Sequence, residues 1–131
     1  MAYLFDASSV YKVVKAGKTE QLILSSTCNL ARHETGNMLL KERRIRKTLN
    51  EPEHRYLLTA ITRALNTMQC IGIAGMEREI TDAALKLDMS FYDASYACIA
   101  RRLGMVLVTE DDKLAKKARG YIKTITADEL M

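Results

Sequence analysis

Two short apolar runs, one near each end of the chain, lead into carboxylates. Tyr3-Leu4-Phe5 ends in Asp6, and Met105-Val106-Leu107-Val108-Thr109 is followed two residues later by Asp111. Continuous apolar runs of this length read as strands buried on both faces, the pattern of a parallel sheet covered by helices. In such a sheet, ligands bind in the crevice beyond the carboxyl ends of the strands. The two acids are therefore expected on one side of the molecule, close to one crevice.

The rest of the chain alternates strand and helix signals. Residues 2–6 read as strand one, and Ser8 or Ser9 offers a cap for a helix to about Lys15, closed by Gly17. Residues 20–24 read as strand two, and Ser26 or Thr27 as the cap of a long helix to about Lys47. Asn50-Glu51-Pro52 opens a helix to about Met68. Residues 70–73 form a weak strand, and a helix runs from Glu77 to Leu87. Ser90-Phe91-Tyr92-Asp93 opens another helix, ending near Leu103-Gly104. Residues 105–109 form a strand, 111–119 a helix and 121–125 a last strand. The expected fold class is α/β, with helices on both faces of a small, mainly parallel sheet.

Composition narrows the function classes. The chain has 131 residues with a 48% hydrophobic share, enough for one domain with a core of its own. Twenty basic residues against 16 acids give a net charge of +4, which permits a nucleic-acid partner without requiring one. Cys28, Cys70 and Cys98 lack C-x-x-C spacing and read as small buried residues. No apolar stretch approaches the ~18 residues of a membrane span, and Met1-Ala2-Tyr3 leads straight into a strand, so a cytoplasmic protein is expected.

Glu34 and Asp93 lie on expected helices, placed to point into the same crevice as Asp6 and Asp111. Each has a plainer use: Asp93 and Asp111 as helix caps, Glu34 as a solvated acid. Asp6 resists that reading, because a carboxylate ending a buried strand loses hydration unless something compensates. Converging carboxylates repel, and a fold keeps them together mainly to hold hard cations. Mg²⁺ or Mn²⁺ is the expected ion, and metal-assisted phosphodiester chemistry the expected function. The two histidines, His33 and His54, form no Cys-His or Gly-x-Ser-x-Gly signature, and no phosphate loop is present. His33 points about 100° away from Glu34 around its helix and is not expected to share its ligand.

Phe5-Asp6-Ala7-Ser8, Glu34-x-x-Asn37, Tyr92-Asp93-Ala94-x-Tyr96 and Thr109-x-Asp111-x-x-Leu114 together resemble PIN-domain nucleases, and most closely VapC-type toxins of prokaryotic toxin–antitoxin pairs. The resemblance runs over nearly the whole chain and implies one PIN-like α/β/α sandwich over residues 1–131. It implies that Asp6, Glu34, Asp93 and Asp111 are the catalytic, metal-binding acids, supported by Ser8, Asn37 and Thr109. Glu110-Asp111-Asp112 leaves the fourth acid between Asp111, favoured by the Thr-x-Asp-x-x-Leu register, and Asp112. The resemblance further implies RNA hydrolysis leaving a 5′-phosphate and 3′-hydroxyl, a homodimer and a VapB-type antitoxin. Met38, Leu39, Leu57, Leu58 and Ile61 lie on two long helices with more apolar surface than one core needs.

An acidic crevice repels a polyanion, so an RNA substrate needs basic surface nearby. Lys41, Arg43, Arg44, Arg46 and Lys47 follow Glu34, and Lys113, Lys116, Lys117 and Arg119 follow Asp111. Arg43, Arg44, Arg46, Lys113 and Lys116 are the candidate RNA contacts, against the plainer reading of solvated helix faces. Tyr11, Tyr56 and Tyr92 could stack on bases, though packing is the commoner use. Two rival classes remain: a phosphoryl-accepting receiver, which lacks its acidic pair after strand one, and a PIN-like binding partner without activity.

Overall fold

The structure is a computed structural model and describes residues 2–131. In chain order its elements are β1 (Tyr3–Phe5), α1 (Ala7–Lys15), β2 (Ser26–Cys28), α2 (Leu30–Arg44), α3 (Glu51–Thr67), β3 (Gln69–Ile71), α4 (Glu77–Leu87), α5 (Phe91–Leu103), β4 (Val106–Val108), α6 (Asp112–Lys117) and β5 (Thr124–Ile125). Short 3-10 turns lie at Thr19–Gln21 and Ala127–Glu129. The strands form one parallel sheet in the order β3-β2-β1-β4-β5, the expected α/β/α sandwich.

Strand alternation divides the core between the two faces. Phe5 and Val108 pack with Val10, Val13 and Val14 of α1 and with Leu57, Ile61 and Leu65 of α3. Leu4 and Leu107 point the other way, onto Ile80 of α4 and Ala94 and Ala100 of α5, where Ala97 is also buried. That small-residue stripe lets α5 lie close against the sheet. Gly104, at φ 65°, ends α5 in the left-handed conformation glycine adopts at low cost.

Several expected boundaries are corrected. Residues 20–24 are not a strand. Leu22 alone is buried there, while Leu24 sits at φ 65° and 85% exposed in a turn. The second strand is instead Ser26-Thr27-Cys28, within the residues expected to cap α2, and all three are buried. Helix α2 accordingly starts at Leu30 and stops at Arg44, before Lys47 at φ 55°. Asp6, not Ser8 or Ser9, caps α1, since its Oδ1 accepts the Ser9 N–H at 2.9 Å. The last strand shortens to Thr124–Ile125. The Asn50 capping box at α3 and the Ser90 cap at α5 stand as expected.

Leu39, Leu57 and Ile61 are consumed by the chain's own core, so they supply no spare apolar surface; of that set only Leu58, 44% exposed, is openly solvent-facing. All three cysteines are free, Cys28 and Cys98 buried and Cys70 half-buried. No helix among the described residues is long and apolar enough to cross a membrane.

Candidate active site

The sheet order has one reversal. From β1 the chain winds outward through β2 to β3, then returns to the other side of β1 for β4 and β5. The gap between β1 and β4 is the topological switch point, where open α/β sheets bind ligands. Asp6 leaves the carboxyl end of β1 there, its N–H donating to Val108 O at 3.0 Å. A cleft of about 250 Å³ opens at this point, lined by Asp6, Ser8, Glu34, Asn37, Asp93 and Asp111, with Met38, Lys41 and Tyr96.

All four expected acids thus line one cleft, each delivered by a different element. Asp6 is buried and accepts from Ser8 Oγ at 2.7 Å through the same Oδ1 that caps α1. Glu34, one turn into α2, is half-buried, and its Oε1 accepts the Tyr96 hydroxyl at 2.7 Å. Asp93 stands in the first turn of α5, where Ser90, rather than Asp93, is the cap. Asp111 caps α6 through Oδ1, accepting from Lys113 N–H at 2.9 Å and Leu114 N–H at 3.1 Å. The capping role and the cleft position therefore coexist in Asp111. Asp112, the alternative fourth acid, does not line the cleft.

The electrostatics are those of a crowded, partly buried acidic site, with Lys41 on its lining and the Lys117 charge acting on Asp93. Burial, opposed by hydrogen bonds from Thr109, Ser8 and Ser9, holds the Asp6 proton more tightly than usual. Glu34 is raised by burial, against the Tyr96 hydrogen bond, with Asp6 and Asp93 repelling its charge. Asp93 is raised by burial and then by the charge of Asp111. Burial is the largest cause in all three, with repulsion from neighbouring acids adding to it at Glu34 and Asp93.

The donor set fits a hard divalent cation. The acids lining the cleft offer carboxylate oxygens, and neither histidine nor cysteine lines it. Glu34 Oε2 and Asp111 Oδ2 take no hydrogen bond among the described residues, leaving each acid an oxygen to give. As they stand, no three such side chains among the described residues are drawn into a metal-holding arrangement.

The supporting polar residues divide. Ser8 bonds Asp6, and Thr109 touches both Asp6 and, by accepting Asp111 N–H at 3.1 Å, the next acid. Asn37 lines the cleft but is exposed. Arg43, Arg44, Arg46, Lys113 and Lys116 lie outside the cleft, and among the described residues none pairs with an acid within 4 Å. Lys41, expected only as part of a basic cluster, and Tyr96, expected only as part of a motif, also reach the cleft. Lys41 shares the Glu34 and Asn37 face of α2 at i, i+3 and i+7, and Tyr96 follows Asp93 at i+3. That helical spacing was the available signal. His33 is exposed and lies outside the cleft, as expected. Tyr11 is buried against Glu42, while Tyr56 and Tyr92 are exposed.

No protein-family model matches the sequence. Over 129 residues, 95% of the chain, it is 31% identical to a protein named exonuclease VapC9 from Pyrobaculum aerophilum, covering 91% of that protein. The chain belongs to the VapC family of PIN-domain proteins. A second VapC relative from the same organism, named ribonuclease VapC3, is 32% identical over 91 residues, 70% of this chain and 69% of its own length. Among solved structures, PAE2754 from Pyrobaculum aerophilum superposes with a TM-score of 0.82 at 27% identity, covering 99% of this chain and 93% of that one. The VapC assignment and the PIN-like fold therefore agree.

Proposed function

We propose that this VapC-family chain is a Mg²⁺- or Mn²⁺-dependent endoribonuclease, the toxin of a VapBC-type pair, with residues 1–131 acting as one domain. The observation that carries the reading is the meeting of Asp6, Glu34, Asp93 and Asp111 in one cleft at the switch point of the sheet. The names of the two relatives, an exonuclease and a ribonuclease, support nuclease chemistry.

A bound divalent ion supplies an acidified water and a polarised phosphate oxygen. The protein's own residues do the rest. Asp6, Glu34, Asp93 and Asp111 would hold the ion in the cleft. Ser8, Thr109 and Tyr96 aim the carboxylates through the hydrogen bonds described above. Lys41, at the open edge of the cleft, meets the phosphate backbone, and the half-buried Arg43 with the exposed Arg44, Arg46, Lys113 and Lys116 extends that attraction. Cleavage leaves a 5′-phosphate and a 3′-hydroxyl. A VapB-type antitoxin and a second copy of the chain complete the partners.

Internal cleavage is favoured over the exonuclease reading by the exposure of Asn37, Lys41 and Asp111, which leaves the cleft open to a continuous strand. The test is a circular single-stranded RNA incubated with Mn²⁺, with EDTA, and with Asp6→Asn. Linearisation in Mn²⁺ alone, absent from the other two arms, is the expected result. Cutting that persists in EDTA or in Asp6→Asn refutes the mechanism, and degradation of linear but not circular RNA moves the assignment to an exonuclease.

A further inference from the structure

The three consecutive acids Glu110, Asp111 and Asp112 part company in the structure. Asp111 lines the cleft, and Asp112 is the exposed first residue of α6. Glu110 turns toward α1 and the C-terminus. Its Oε1 accepts from Lys12 Nζ at 2.8 Å, and its Oε2 accepts the backbone N–H of Ala127, the first residue of the last 3-10 turn, also at 2.8 Å. Lys12 Nζ reaches Asp128 of the same turn at 2.9 Å.

The backbone of Glu110 points into the site. Its N–H donates to Ser8 Oγ at 3.1 Å, and Ser8 Oγ donates in turn to Asp6 Oδ1 at 2.7 Å. Donors in series polarise one another, so the orientation of Glu110 is felt at Asp6. On its other flank, Thr109 N–H donates to Ile125 O at 2.9 Å. The Glu110 side chain is only 20% exposed and uses both oxygens, unlike a loose surface ion pair.

We infer that Glu110 is a positioning residue for the acidic cleft. It ties the β4–α6 loop to α1 and to the C-terminal turn, so that Asp6 and Asp111 keep their relative placement. It touches neither the ion nor the RNA. This rests on the metal-dependent reading above, and explains why a third acid stands beside Asp111 without facing the cleft.

The test compares Glu110→Ala with Glu110→Gln, whose amide oxygen still accepts the Ala127 N–H. Loss of an outer-shell support of this kind costs about tenfold in kcat or Mn²⁺ affinity, and that is the effect expected for Glu110→Ala. Amide exchange at Asp6, Thr109 and Asp111 should quicken in the same variant, with Leu4 and Leu107 unchanged. Glu110→Gln, which keeps the Ala127 bond but loses the Lys12 one, should recover part of both losses. Should Glu110→Ala fail to fold, Ala127→Pro removes the donor and leaves Glu110 in place. A Glu110→Ala protein that melts lower yet keeps its kcat, Mn²⁺ affinity and exchange pattern overturns the inference, as does Glu110→Gln no better than alanine. Wild-type protein that neither binds Mn²⁺ nor cuts RNA defeats the metal reading instead, and the exchange arm still decides the tether.

Discussion

The hydroxyl of Tyr96 on α5 donates to Glu34 on α2 at 2.7 Å, joining the two helical layers beyond the end of the sheet. Tyr96 is 2% exposed, and Glu34 is the side chain that accepts from its hydroxyl. Removing it by Tyr96→Phe takes from Glu34 the hydrogen bond that opposes its raised proton affinity. The Glu34 pKa then rises further, and a metal-competent carboxylate forms only at higher pH. The acid limb of the pH–rate profile should move up and the fold should weaken by about 1.5–3 kcal/mol, the scale of a hydrogen bond to a charged group. An acid limb that stays in place in Tyr96→Phe would remove Glu34 from the titrating set.

Lys41 is the cation that lines the cleft, while Arg43, Arg44, Arg46, Lys113 and Lys116 stand outside it. Lys41→Met should therefore raise KM more than Arg44→Ala. It should also reduce the salt dependence of RNA binding by about one unit of slope. Binding of a fluorescent RNA across a salt series checks both. Equal effects from the two substitutions would mean that general positive charge, not placement, governs substrate capture.

Those two residues mark the limit of what the sequence declares. Tyr3-Leu4-Phe5-Asp6 and Val106-Leu107-Val108 are legible because strands buried on both faces must be apolar throughout. Ser26-Thr27-Cys28 occupies an equally buried strand yet reads as a cap. Its Thr27 hydroxyl is satisfied by Phe5 O at 2.7 Å, a long-range partner that local pattern cannot reveal. Conversely, Leu22-Ile23-Leu24 looks like a strand because apolar content does not report backbone geometry. Only Leu22 is buried, and Leu24 adopts positive φ. Asp6 was legible because a carboxylate ending a buried strand is costly without compensation, and Glu34, Asp93 and Asp111 by their register with it in the resembled motifs. The cleft positions of Tyr96, named only within a motif, and of Lys41, named only within a basic cluster, were not, since a tyrosine and a lysine have many ordinary uses.

The homodimer expected from the VapC resemblance must use other surface than the α2–α3 residues first singled out, most of which the core consumes. Exposed apolar side chains remain at Ile23, Leu24, Tyr56, Leu85 and Tyr92. Light scattering at tens of micromolar should give twice the monomer mass of 14.8 kDa. A monomeric mass across that range would dismiss the dimer, and co-expression with the neighbouring small open reading frame tests the antitoxin separately.

The cleft acids set a pH dependence whose sign is fixed by their shifts. Asp93 ordinarily titrates near 3.8 and is raised in the fold, first by burial and then by Asp111. Below that ordinary value it is protonated folded and unfolded, and contributes nothing to the difference. As pH rises toward the raised value the folded state binds more protons than the unfolded, so stability falls with pH, and the loss is complete above it. Glu42 is shifted the other way by Lys15 and Tyr11, although burial opposes them, so whole-protein melting curves mix opposite trends. The difference between Asp93→Asn and wild type isolates the site. In EDTA that difference should be near zero in acid and should favour the variant at neutral pH. A cation that binds only the folded state adds RT ln(1 + [L]/Kd), about 2.7 kcal/mol at a hundredfold excess over Kd. Mn²⁺ should therefore reverse the order, because Asp93→Asn loses a ligand along with a repelling charge. Melting temperatures indifferent to millimolar Mn²⁺, or an Asp93→Asn protein less stable than wild type in EDTA at neutral pH, would mean that the carboxylates gathered at the switch point do not act as one site.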